Sequence, residues 1–259
     1  MIIEMTVEQM KEIVENYRLI TEDITFVFGE RSLTIKSVDP SHVCMLTSTH
    51  PANNFVQYEI DVQYEVEDAI SLTFELSTLK QLLVGSKKTN VVMEWDGQGP
   101  VSFVINGMTR KVLPFDNRHP PSLPVLDYSV ELTLNTIWFE NAMKHARDVA
   151  TLVRLEVIQS RRDEYSSPDY QLKVSAKDAN DNGLEMFHDI EGVDNYPHQT
   201  YSVDKLKVLS KRIRMSLGKG DSNTLTLSFG TGHPIQLDFS SAFGDYIYFL
   251  APRMDGDDY

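Results

Sequence analysis

The side chains dense enough here to do chemistry are cations, and the chemistry that suits them is holding phosphate. Lys205, Lys207, Lys211, Arg212, Arg214 and Lys219 fall within the segment 202–219. Between them run Val203, Leu206, Leu209, Ile213 and Leu217 at helical spacing. At about 100° per residue, the apolar stripe centres near Leu206 and Ile213, and all six cations lie roughly 80° or more away from it. Such a helix buries one face and offers the other to a polyanion, whose backbone asks for positive charge and not for a particular sequence. Other chemistries find less support. Asp178, Asn180 and Asn182 begin a calcium-loop pattern, but its twelfth position is Asp189 instead of Glu, and strand-like sequence flanks it. Asn182-Gly183 reads better as a hairpin turn. The seven histidines form no HExxH pair. The single cysteine, Cys44, excludes an intrachain disulfide and a cysteine zinc site, and fits a reducing interior. There is no phosphate-binding loop, GxSxG elbow or dinucleotide fingerprint. The expectation is a non-enzymatic protein with no catalytic residues, no metal and no cofactor.

The elements that position these cations are legible from periodicity. Residues 1–5 read as a strand, and Thr6 with Gln9 opens a helix in a capping-box pattern. Val7, Met10, Ile13, Val14 and Tyr17 give that helix an apolar stripe. Short β-rich runs fill 24–75, a second helix is expected over Ser77–Lys88, and strands return up to 113. The order then repeats: a strand in SVELTL, a helix over Asn135–Asp148, three strands, a helix from Ser202 to about Lys219, and three more strands. The helices of the second half begin at 135 and 202, against 6 and 77 in the first, so both offsets are close to half the chain. The implied fold is α+β, two similar domains, each with two helices on antiparallel sheets.

The charge distribution gives the duplication a purpose. The chain carries net −14, from 24 basic and 38 acidic residues. On average that opposes nucleic acid. Yet the four expected helices hold Lys11, Arg18, Lys80, Lys87, Lys88, Lys144, Arg147, Lys205, Lys207, Lys211, Arg212, Arg214 and Lys219 against six acids, a net of +7. Everything else carries −21. Basic helices in an acidic shell fit a surface that follows a nucleic-acid backbone. The first helix fits least well, since Glu8, Glu12 and Glu15 outnumber its cations. Between the halves, 113–128 contains Pro114, Pro120, Pro121 and Pro124 and should run extended. No run approaches the length of a membrane span, and MIIEMTVEQM lacks the features of a signal peptide.

Two local motifs complete the picture. Asp39-Pro40-Ser41-His42-Val43, following a strand, and Tyr248-Phe249-Leu250-Ala251-Pro252-Arg253 near the end resemble signatures of the sliding clamps of the proliferating cell nuclear antigen (PCNA) family. The second motif is close to the archaeal form. The resemblance in element order covers essentially the whole chain. It implies the DNA-clamp fold: an N-terminal clamp domain at 1–113, an interdomain connector at 114–128, a C-terminal clamp domain at 129–253 and an acidic tail at 254–259. Three protomers would close head to tail into a pseudo-six-fold ring, with the helices lining a hole that encircles double-stranded DNA without reading its sequence.

The resemblance further implies subunit pairing through Thr109, Arg110, Lys111, Val112 and Leu113 of one copy and Leu184, Glu185, Met186, Phe187 and His188 of the next. It implies a pocket for partner peptides at Val38, His42, Met45, Leu123, Leu126, Pro234, Phe249, Ala251 and Pro252. The implied partners are DNA polymerase and other replication or repair proteins bearing a PCNA-interacting motif, together with a clamp loader. The implied location is intracellular, in the cytoplasm or nucleoid of an archaeon or the nucleus of a eukaryote. A clamp-like viral or checkpoint-type subunit, acting as a monomer or in a heteromeric ring, and an unrelated acidic α+β enzyme or adaptor are the competing readings.

Overall fold

The computed structural model describes residues 1–60, 69–83, 89–115, 122–123, 125–160, 169–191, 195–218, 220 and 223–253. Two compact units emerge, Met1–Leu123 with Ser240–Ile247, and Pro124–Phe239 with Tyr248–Tyr259.

The first unit begins with β1 (Ile2–Thr6), α1 (Val7–Tyr17), β2 (Asp23–Gly29), β3 (Ser32–Val38) and β4 (Cys44–Pro51). It continues through β5 (Gln57–Glu59), β6 (Ala69–Glu75), α2 (Leu76–Leu82), β7 (Asn90–Glu94), β8 (Val101–Ile105) and β9 (Met108–Val112). The Thr6 side chain accepts from the Gln9 amide at 3.1 Å, so α1 starts where the capping pattern puts it. One sheet runs β5-β1-β7-β8-β9, and a second set of neighbours runs β6-β2-β3-β4. Alternation decides the faces: in β3, Leu33 and Ile35 are buried while Thr34 and Lys36 are half-exposed. Phe74 on β6 meets Phe26 at 5.9 Å and Phe103 of β8 at 5.6 Å, so aromatic contacts tie the two sets of strands together. Asn106 and Gly107, both at positive φ, turn β8 back into β9 and leave β9 at a sheet edge.

The second unit repeats the plan with β10 (Val130–Asn135), α3 (Thr136–Val149), β11 (Leu152–Ser160), β12 (Asp169–Lys177), β13 (Gly183–Ile190) and β14 (His198–Ser202). It ends with α4 (Val203–Leu217), β15 (Thr224–Phe229), β16 (Ile235–Ser240) and β17 (Asp245–Leu250), of which Tyr248–Leu250 belong to this unit. The order β13-β12-β11-β14 matches β4-β3-β2-β6, and β10-β15-β16 matches β1-β7-β8. The duplication inferred from helix spacing is therefore a duplication of topology. Leu155, Val174, Tyr201, Phe139, Leu206 and Ile213 form its core, each at 0 % exposure. Two elements differ from expectation. The second helix ends at Leu82 and not near Lys88, of which 84–88 lie outside the described residues. The turn between β12 and β13 is centred on Asp178–Asn182, with Asp181 at φ 65°, and Asn182-Gly183 leads into β13.

Candidate nucleic-acid interface

The basic face is best built from α3 and α4, which pack against each other within the second unit. Asn135 caps α3, its Oδ1 accepting from the amides of Ile137 at 2.9 Å and Trp138 at 3.1 Å. Helix α4 buries Val203, Leu206, Leu209, Ser210 and Ile213. Ser210 satisfies its hydroxyl on the Lys207 carbonyl at 3.1 Å. The helix ends at Gly218, whose φ of 83° suits a residue without a Cβ. The burial stripe forces Lys205 and Lys211 fully outward and leaves Lys207, Arg212 and Arg214 half-exposed. That is the amphipathic arrangement the sequence calls for, with hydrophobic burial fixing the helix rotation and so the direction of the charges.

Ion pairs then decide which charges are spent internally. Arg147 on α3 pairs with Asp204 at the start of α4, and Arg214 near the end of α4 pairs with Glu140 on α3. These two bridges join the antiparallel helices at both ends of their contact. Lys207 and Lys211 meet no acid among the described residues, and Lys144 on α3 is exposed alongside them. In the first unit, Lys11, Arg18 and Lys80 sit on or next to α1 and α2. Glu15 holds Arg18 at 2.9 Å and Lys80 at 3.8 Å. Lys87, Lys88 and Lys219 lie outside the described residues. Counting cations along the sequence leaves out their acid partners: Arg18–Glu15 is a local pair three residues apart, but the Lys80, Arg147 and Arg214 partners lie on other helices at no fixed sequence offset.

The segments expected to pair between subunits are both at sheet edges. Thr109–Val112 belong to β9 and Leu184–His188 to β13, and among the described residues each strand has a neighbour on one side only within its sheet. Met108 (67 % exposed), Leu113 (68 %) and Phe187 (46 %) bring apolar surface to those edges. The inward-facing His188 stacks on Trp138 of α3 with ring centroids 4.6 Å apart. Burial lowers its pKa, and the neighbouring Asp189 opposes that shift.

The expected peptide-pocket residues divide by exposure. In the first unit, Met45 is buried, Val38 is half-buried, and His42 and Leu123 are exposed. In the second, Phe249 is buried, and Leu126, Pro234, Ala251 and Pro252 are half-buried. The loop before β4 owes its shape to Asp39, itself 5 % exposed. Its Oδ1 accepts from the amides of Val43 and Cys44, each at 2.7 Å, and Oδ2 accepts from the Ser41 hydroxyl at 2.6 Å. That cage presents His42 at the loop tip with φ 55°.

The carboxylates of the Asp178 turn are engaged locally, Asp181 pairing with Lys177 at 2.8 Å. Asp178 accepts from the Asn180 and Asn182 amides at 2.8 and 2.9 Å and from Asn182 Nδ2 at 2.9 Å. These donors hold its carboxyl below the usual range. Among the described residues, no group of three or more His, Cys, Asp or Glu side chains has the geometry to hold a metal ion. No helix among them is long and apolar enough to cross a membrane.

No family model matches the sequence. Individual relatives do. A DNA polymerase sliding clamp from Thermofilum pendens is 25% identical over 262 residues, spanning 95% of this chain and 96% of that protein. DNA polymerase sliding clamp 1 from Sulfolobus acidocaldarius is 22% identical over 256 residues, spanning 96% and 97%. Among solved structures, PCNA of A. fulgidus, bound to the C-terminal region of FEN-1, superposes with a TM-score of 0.80 at 20% identity over 99% of each chain. PCNA of Thermococcus kodakaraensis superposes with a TM-score of 0.77 at 17% identity, over 97% of this chain and 99% of that one. In sequence along nearly its whole length, and in fold, this chain is similar to the DNA polymerase sliding clamps of the PCNA family.

Proposed function

We propose that the chain is a DNA sliding clamp, a ring-forming processivity factor that encircles duplex DNA and tethers a polymerase and other replication or repair proteins to it. The observation that carries this reading is the outward basic face of α4 in a chain of net charge −14, set within a twice-repeated clamp topology. The clamp performs no chemistry of its own. Its affinity for the strand is weak, and topology retains it. The clamp domains are 1–113 and 129–253, joined by the connector 114–128. Three copies close head to tail by adding β9 of one to β13 of the next, which removes two exposed sheet edges at once. A loader protein must open that ring. It works inside the cell, where the DNA is. Partner peptides of the kind carried by FEN-1 use Val38, His42, Met45, Leu123, Leu126, Pro234, Phe249, Ala251 and Pro252.

The deciding experiment loads the purified protein onto closed circular duplex DNA and then linearises the circle. The clamp is retained before the cut and lost after it. Equal retention on both forms overturns the topological mechanism.

A further inference from the structure

The two units of one chain repeat each other in topology but not in charge. Helix α4 carries Lys205, Lys207, Lys211, Arg212 and Arg214 against the single acid Asp204. On α1, Lys11 stands against the exposed Glu8 and the half-exposed Glu15, while Glu12 is buried and accepts from Ser241; α2 carries Lys80, and Lys87 and Lys88 lie outside the described residues. The cations that α1 and α2 do present are further offset. Glu15 is shared between Arg18 at 2.9 Å and Lys80 at 3.8 Å, so one carboxylate offsets part of the charge of both cations. In the second unit the internal bridges Arg147–Asp204 and Arg214–Glu140 use two of the three α3 and α4 acids, Asp148 being the third, without exhausting the α4 cations. Lys207, Lys211 and Lys144 remain without an acid partner among the described residues.

We propose that phosphate contact is carried chiefly by the second unit, above all by α4, and that Glu15 weakens the contribution of the first unit by drawing on Arg18 and Lys80. This rests on the sliding-clamp reading. It divides the labour unequally inside each protomer: a pseudo-six-fold ring would grip its duplex chiefly at three places. The physical reason lies in counterion release. Each phosphate neutralised by a protein cation contributes to affinity and to its salt dependence, whereas a cation already paired with a protein carboxylate contributes little.

The test uses the full-length protein and a fluorescently labelled linear duplex of random sequence, with binding followed by anisotropy across a salt series. Thermal melting and solution mass confirm that each variant is folded and assembled like the wild type. Replacing Lys205, Lys207 and Lys211 with Ala weakens binding by about tenfold or more at low salt and lowers the salt slope by about three. The pair Arg18→Ala and Lys80→Ala weakens it at least fivefold less than the α4 substitutions do. Glu15→Gln releases Arg18 and Lys80 and tightens binding about two- to threefold, an effect that disappears in Glu15→Gln with Arg18→Ala and Lys80→Ala. Equal losses from the two sets of basic substitutions overturn the division between units. Unchanged binding in Glu15→Gln overturns the role of that residue. A wild-type protein that binds no duplex at any salt, and is not retained on closed circles, overturns the clamp reading itself.

Discussion

At the scale of single residues, two buried polar groups do more than their surroundings require. Asp39 is one. Its carboxylate takes three short hydrogen bonds within five residues of chain, so the loop 39–44 is built around a charge. Replacing it with Ala strands two buried amides, and hydrogen bonds to charged groups are worth about 1.5–3 kcal/mol each at most. Asp39→Ala should therefore cost about 3 kcal/mol, read as a lower urea midpoint at an unchanged m-value. His50 is the other, at 0 % exposure. The Phe243 carbonyl only accepts, so Nδ1–H donates to it at 3.0 Å. Nε2 then takes the Ser48 proton at 2.9 Å. Tyr17 approaches both Ser48 Oγ (2.9 Å) and the Ile35 carbonyl (2.8 Å). At Gly244 an added Cβ would sit 2.5 Å from His50 Nδ1, so the chain passes the imidazole where only glycine fits. Burial lowers the His50 pKa from 6.5 to about 4. The unfolded chain thus binds this proton more readily than the folded one. The stability from neutral His50 is complete above pH 6.5 and is lost as pH falls towards 4, with a slope of up to about 1.4 kcal/mol per unit. Denaturant titrations between pH 7.5 and 4.5 should show that fall, and His50→Gln should flatten it. An identical pH dependence in the variant would assign the acid lability to other groups.

At the scale of elements, the edge strands carry the argument. β9 and β13 each leave a row of backbone donors and acceptors available at a sheet edge, and each shows large apolar side chains there. An exposed apolar edge is a liability in a monomer and an asset in a ring. On β13 the side chains alternate strictly, with Phe187 outward and Met186 and His188 inward, so a charge at 187 acts at the edge without entering the core. Phe187→Asp should leave the fold intact and shift the solution mass from a trimer to the 29.5 kDa monomer, as read by native mass spectrometry. A trimer that survives this change would place the contact elsewhere. The helices show the same dependence on packing. The α4 cations point outward because five residues on the opposite face are buried, and no cation needed to choose its own direction.

At the scale of the whole molecule, the net charge of −14 and a grip on DNA are compatible because the charges are segregated. On the clamp reading, acid outside the helices disfavours adhesion of nucleic acid elsewhere, so that binding would depend on encirclement. Retention on closed circles should therefore tolerate added salt far better than binding of a linear duplex does, since salt screens contacts but does not open a closed ring. The similarity to sliding clamps spans nearly the full length of both chains, so it extends over both repeats and not over one alone.

The sequence by itself determined the elements, the duplication and the first helix cap. These rest on local rules: the strand pattern around β3, the 3.6-residue stripes of α1, α3 and α4, and the Thr6–Gln9 cap; the Asn135 cap and the Asp39 loop, whose partners all lie within five residues, are equally local but emerged only in the structure. It also located the basic helix, because an apolar stripe specifies the opposite face as surely as its own. Tertiary structure alone decided which cations are neutralised, since Arg147 finds Asp204 across 57 residues and Lys80 finds Glu15 on another helix. It decided that Met45 and Phe249 belong to the core while Leu123 stays exposed, because burial depends on what the rest of the chain lays over a residue. It decided, too, that His50 would meet a carbonyl 193 residues away. Local patterns are set by backbone geometry and repeat in the sequence. Pairings across the fold are set by which surfaces come to face each other, and they leave no spacing to read.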